Sequence, residues 1–207
     1  MAASGQVRVP TPRRPTDYER NVKELEHAEF ATANCFVRHE ALIRIGGFDE
    51  RFRRAWREDS DLHFALLQHY GSVARAHDAI LLHPVRAAGW GISLREQANV
   101  LYDALLYKKY PVLYRTRIRR VPPWSYYLAT VAALCAPLAA LAGHIGTALC
   151  FAVVWVSVTL RLALGRLRGT SRAPSHLLEM LATSALIPPL SVYWRVAGAL
   201  RFRAPFV

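Results

Sequence analysis

Between residues 124 and 160 the chain carries no Asp, Glu, Lys or Arg. Two apolar runs, 124–142 and 145–160, are separated only by Gly143-His144. Such a stretch has two ways to fold: a helical hairpin buried in a protein core, or a helical hairpin in a bilayer. A spanning helix needs about 20 apolar residues, within a range of about 17–25, and both runs sit near the lower end. Trp124, Tyr126 and Tyr127 open the first run and Arg161 follows the second. Aromatic residues prefer the membrane interface and basic ones its cytoplasmic side. The reading taken is a transmembrane hairpin, with spans at about 124–142 and 145–164.

The charge distribution agrees. The chain has 207 residues, 53% hydrophobic and 20% charged, with a net charge of +12. Among the acidic residues, Glu179 alone lies beyond Trp124. Arg115, Arg117, Arg119 and Arg120, then Arg161, Arg166, Arg168 and Arg172, then Arg201 and Arg203, all border apolar runs. That is the placement of membrane-flanking charge. No nucleic-acid module accompanies them, so no nucleic-acid partner is expected. Cys35, Cys135 and Cys150 match no zinc spacing and imply no disulfide framework. The expected location is the cytoplasmic membrane, multi-pass, with the polar part facing the cytoplasm.

The last apolar segment, 175–200, is interrupted by Pro188-Pro189, and Glu179 and Arg195 lie toward its ends. A single crossing would carry Arg201 and Arg203 to the far side, against the positive-inside tendency. The preferred reading is a proline-broken re-entrant or interfacial segment. The membrane region as a whole is read as 122–207.

Ahead of it, 1–27 reads as an extended leader, on account of Pro10, Pro12 and Pro15 and the absence of an apolar core. Residues 28–121 read as a partial α/β domain. Within it, 28–38 is a strand candidate, 39–45 a short helix stopped by Gly46-Gly47, and 61–70 a helix ended by Gly71. Segments 72–76 and 79–83 are short strand candidates. Ser93-Leu94-Arg95-Glu96 has the pattern of a capping box starting a helix that stops before Pro111.

The chemistry concentrates in Gly46-Gly47-Phe48-Asp49-Glu50 and Trp56-Arg57-Glu58-Asp59-Ser60-Asp61-Leu62. Glu58, Asp59 and Asp61 repel one another unless a cation, a proton or a substrate hydroxyl answers them. Asp59 or Asp61 alone would suit the start of a helix, but a cap needs one carboxylate and three are present. A carboxylate beside like charge can have its pKa raised toward the range of a general base.

Thr32-Ala33-Asn34-Cys35, Arg38-x3-Leu42, Gly46-Gly47-Phe48-Asp49-Glu50 and Trp56-Arg57-Glu58-Asp59-x-Asp61-Leu62 follow one another in close order. This block resembles the acceptor-side half of family 2 glycosyltransferases with the GT-A fold. The likeness continues more loosely through His83-Pro84-Val85-Arg86, Trp90, Ser93-Leu94-Arg95 and the 103–109 segment. The resemblance implies a partial GT-A-like α/β domain followed by an α-helical membrane region. It implies inverting transfer of a sugar from a nucleotide sugar to a glycan or lipid-linked acceptor, with a divalent metal (Mn or Mg) in the complete enzyme. Asp59 would be the general base, with Glu58 and Asp61 positioning the acceptor or the loop. Gly46, Gly47, Phe48, Asp49, Trp56 and Arg57 would line the acceptor site, Trp56 either stacking on a sugar or filling the core. His83 would be a metal ligand or simply a hydrogen-bonded histidine at a strand end.

The family's nucleotide-binding half and its upstream Asp-x-Asp motif have no counterpart before Gly46. The expectation is a chain inactive alone, whose missing half lies upstream in the gene or in a separate polypeptide. The alternative is a non-catalytic membrane protein, or a subunit of a split transferase, that binds a partner or a glycan.

Overall fold

The computed structural model describes residues 2–206. Strand β1 (Ala2–Arg8) lies at the centre of a three-stranded mixed sheet. It pairs antiparallel with β2 (Cys35–Val37) and parallel with β3 (Ala74–Leu82). The reading of 1–27 as an extended leader is therefore corrected. Ala2, Ser4 and Val7 are buried, and the prolines begin only after the strand ends. Thr16 and Glu19 then form a reciprocal capping box that starts α1 (Asp17–Lys23).

The register of β1 against β3 slips between Ser4 and Gln6, at Gly5. A Cβ there would lie 2.5 Å from the Ala79 carbonyl oxygen, so only glycine fits. Asn34 Nδ2 fills the gap, donating to the carbonyls of Gln6 and Ala79 at 2.8 Å each. Segment 28–38 is thus only in small part a strand: a short 3-10 turn at Thr32–Asn34 presents Asn34 to the sheet before β2 begins. The two strand candidates at 72–76 and 79–83 are one strand, β3.

Helix α2 (His39–Arg44) and helix α3 (Glu58–Tyr70) form where the sequence places them, α3 beginning three residues earlier. On α3, Leu62 and Leu66 turn toward the sheet and pack with Ala2 and Phe30. Phe64 joins a second core with Leu101, Leu105, Tyr110 and Tyr114. The Ser93–Glu96 capping box does not form. Gly91 takes the N-cap of α4 (Ile92–Glu96), because its left-handed backbone suits glycine and the Ser93 hydroxyl is engaged by Arg166. A 3-10 turn links α4 to α5 (Val100–Lys109), and α6 (Pro111–Arg117) follows the proline at its first position.

The apolar hairpin is α7 (Trp124–Leu141) and α8 (Ile145–Leu167), packed along each other. Their outer faces stay bare: Leu134, Leu138, Leu149 and Val153 are each more than half exposed. The final helix, α9 (Pro174–Phe202), is continuous through Pro188 and Pro189. The proline-broken reading is corrected. Proline removes an N–H and crowds the preceding turn, but α9 is held by packing against α4, α5, α7 and α8. Gly198 lets it close on α5, where a Cβ would come within 2.5 Å of the Leu101 carbonyl oxygen. Three helices, α7, α8 and α9, are long and apolar enough to cross a membrane, which indicates membrane association.

One buried polar knot joins the two regions. Arg166 of α8 donates to Asp17 of α1, Ser93 of α4, and Thr183 and Ser184 of α9, at 2.7–3.1 Å. Asp17 is 3% exposed and Arg166 8%. A charge pair this deep holds only when its remaining hydrogen-bond capacity is met, and three hydroxyls meet it.

Candidate functional site

The Gly46-Gly47 pair ends α2 with both residues in the left-handed region, φ 84° and 70°. Gly47 N–H bonds back to the Leu42 carbonyl at 2.9 Å. This reversal places Asp49 where it meets two cations. Arg51 grips both its oxygens, at 2.6–3.2 Å, and Lys109 Nζ lies 2.8 Å from Oδ2. The Arg51 bonds and then Lys109 outweigh burial and hold the Asp49 carboxyl well below the ordinary carboxylate range.

Lys109 also reaches Asp61, 2.5 Å from Oδ1. It thereby ties the glycine turn to α3. The contact is an ion pair short of an aligned hydrogen bond. Burial dominates at Asp61, which is 3% exposed, and pushes its carboxyl up despite Lys109. Burial pulls Lys109 down, but its bonds to Asp49 and Asp61 prevail and its pKa is raised.

The start of α3 is strained. Arg57, its N-cap, has φ 73°, a left-handed value for a residue with a side chain, which costs about 1–3 kcal/mol. Asp103 of α5 holds it there. Asp103 accepts from Arg57 Nε at 2.6 Å, from Trp56 Nε1 at 3.0 Å and from the Tyr114 hydroxyl at 3.1 Å. Burial, then the Asp103 charge, drives the Tyr114 hydroxyl far above the ordinary tyrosine range, so it stays a donor. The Arg57 guanidinium lies over the Trp56 ring at 4.6 Å, and Trp56 remains 37% exposed.

Glu58 and Asp59 are the first two residues of the helix, and neither has a salt-bridge partner among the described residues. Glu58 Oε2 is buried without a hydrogen-bond partner, and burial, with the neighbouring Asp59, raises its carboxyl. Asp59 is half-buried. Its Oδ1 accepts the Ser60 N–H at 2.6 Å and the Ser60 hydroxyl at 3.3 Å. The other Asp59 oxygen accepts no hydrogen bond among the described residues. Phe48 is half exposed and so is not a core residue.

His83 follows β3, its N–H bonded to the Arg8 carbonyl at 2.8 Å and its Nδ1 buried without a partner. Among the described residues no group of three or more His, Cys, Asp or Glu side chains could hold a metal, around His83 or elsewhere. The residues present do not make a metal site by themselves.

The structure thus brings Asp49, Arg57, Asp61 and Trp56 together through α5 and leaves Glu58 and Asp59 without a cation. Neither Asp103 nor Lys109 stands among the site residues expected from the sequence. The signal for Asp103 was a lone acid inside the apolar run Leu101 to Leu106, since a buried acid demands partners. No protein-family model, curated protein or solved structure matches the chain.

Proposed function

We propose that this chain is the acceptor-side and membrane-anchoring part of an inverting, nucleotide-sugar-dependent glycosyltransferase. Its acceptor is a glycan or a lipid-linked sugar at the cytoplasmic membrane face. The observation that carries the reading is the state of the acidic segment at the head of α3. Asp49, Asp61 and Asp103 are each answered by a cation, while Asp59 keeps a free oxygen beside the protonation-prone Glu58. Three carboxylates are tied to cations, and of the two that are not, Glu58 and Asp59, Asp59 is taken as the base.

In the proposed reaction an acceptor hydroxyl approaches the anomeric carbon from the face opposite the departing nucleotide. Asp59 takes the hydroxyl proton as the new bond forms, which suits a carboxylate held within hydrogen-bond reach of its substrate. Trp56, with one face under Arg57, offers its exposed part to a sugar ring. A divalent metal would neutralise the leaving diphosphate. The described residues form no group that would hold it.

The anchor fits the same scheme. Helices α7 and α8 are taken as the spanning hairpin. Helix α9 runs along α4 and α5 while exposing Leu178, Leu186, Tyr193 and Leu200. It also packs against α7 and α8; taken as a helix lying at the membrane surface, it keeps Arg201 and Arg203 cytoplasmic. Substituting Asp59→Asn in the assembled enzyme should abolish sugar transfer and spare nucleotide-sugar binding. Unchanged turnover would remove Asp59 as the base.

A further inference from the structure

A cavity of about 440 Å³ opens where α1, the 85–96 segment, α8 and α9 meet. That is within the roughly 300–1,000 Å³ typical of small-molecule sites. None of Asp49, Trp56, Glu58, Asp59 or Asp61 lines it, so it is separate from the acidic segment described above.

Its chemistry is specific. His176 is 5% exposed, and its Nε2 is buried without a hydrogen-bond partner. Nδ1 faces Glu179 Oε2 at 3.9 Å. A proton placed on Nδ1 toward that carboxylate leaves Nε2 as an acceptor. Glu179 Oε1 accepts the Gly91 N–H at 2.7 Å, and its second oxygen has only His176 nearby. Glu96 lines the same wall, half-buried, and burial, then the Asp17 charge, raises its carboxyl. Trp90 lies at the lining with 56% of its surface exposed.

The charges decide the kind of ligand. Asp17 is matched by Arg166 and Arg20, and Glu19 is engaged in the Thr16 capping box. Glu96 and Glu179 remain against Arg86. An anion such as a phosphate headgroup would meet two carboxylates at close range. The free groups are mostly acceptors, so the fitting ligand donates hydrogen bonds and carries no negative charge. The exposed indole adds a platform for the apolar face of a ring.

We propose that this cavity binds a neutral polyhydroxylated group, a sugar or cyclitol ring, through Glu96, Glu179 and His176 Nε2, with Trp90 against its face. The site stands on its own residues and holds whether or not Asp59 is a catalytic base. Its position between the polar domain and α8 and α9 suits a hydroxylated group presented at the membrane boundary.

The test uses the whole chain purified in an amine-oxide detergent, which carries no sugar. Saturation-transfer NMR with methyl β-D-glucopyranoside and with myo-inositol reads binding, and the phosphorus line width of inorganic phosphate serves as the anionic control. Gly89 lines the cavity, and a Cβ there would meet nothing within 4 Å, so Gly89→Trp is the variant chosen to crowd the cavity, with the melting temperature as the check that the fold is kept. His176→Phe removes the free acceptor. The expected result is saturation transfer to at least one polyol. Affinity should fall about tenfold or more in Gly89→Trp, at an unchanged melting temperature, with His176→Phe weakened in the same sense. No transfer to either polyol, transfer unaffected by Gly89→Trp, or broadening of phosphate in their place would overturn the proposal.

Discussion

Asp103 holds together three side chains, two of which, Trp56 and Arg57, lie more than forty residues from it in sequence. Asp103→Ala removes the acceptor for Arg57, Trp56 and Tyr114 at once and leaves a partly buried guanidinium unpaired. The expected cost is about 3 kcal/mol, the lower end for breaking a buried pair, because Arg57 keeps 20% of its side chain exposed. A chemical or thermal denaturation series on the purified chain reads it, and a loss under about 1 kcal/mol, the scale of one ordinary hydrogen bond, would contradict the latch. Glu58 gives a pH test. Its folded-state pKa is raised above the ordinary value of about 4.3. Stability tied to its protonated form is therefore present at low pH and lost as pH rises through the folded value. Glu58→Gln lacks that loss, so its melting temperature relative to wild type should be higher at pH 7 than at pH 4; an equal difference at both would contradict the burial of Glu58. Asp49 works in the opposite sense. Its depressed pKa contributes stability above about pH 3.9 that fades as the pH falls further. At this scale the acidic motif and the glycine turn were legible in the sequence, because residue types and spacing carry them. The partners Asp103 and Lys109 were not, because they come from a helix more than forty residues away and are chosen by packing.

Among the elements, α2, α3 and the α7–α8 hairpin were readable from apolar periodicity and glycine stops. Strand β1 was not: Ala2 to Arg8 contains only one β-branched residue, Val7, and its strand character comes from the partners on either side. The Ser93–Glu96 pattern misled for a related reason, since Arg166 claims the Ser93 hydroxyl that would have capped the helix. Helix α9 misled in the other direction. Pro188-Pro189 argues locally for a break, and neighbours on several sides override it. Gly198 is the point where α9 meets α5 most closely. Gly198→Val must push the helices apart, at a cost of about 1–3 kcal/mol for overpacking. Proteolysis of the α9 C-terminus should then quicken, because Phe206 would leave its place against Tyr114. An unchanged cleavage rate and melting temperature would mean that α9 is not held through α5.

For the molecule as a whole, the polar domain and the apolar helices share the buried knot around Arg166, which ties α1 and α4 to α8 and α9. Membranes holding the chain should retain it through high salt and alkaline carbonate, since α7 and α8 leave apolar surface exposed and are long enough to span a bilayer; release by carbonate would show a peripheral protein. The division at Trp124 was the most legible feature of the whole sequence, because the absence of charge over 124–160 is a property no tertiary contact can alter. The central claim is that Asp59 acts as the base of a sugar transfer at this membrane. The direct measurement compares membranes from three strains: wild type, one with the gene deleted, and one with Asp59→Asn placed at the chromosomal locus. Each is given a panel of radiolabelled nucleotide sugars, and incorporation into lipid and glycan fractions is counted. The account predicts one incorporation lost in the deletion and equally lost in Asp59→Asn, with the variant chain present in the membrane at wild-type level. Incorporation in Asp59→Asn at the wild-type level, or a deletion that loses nothing, would contradict it.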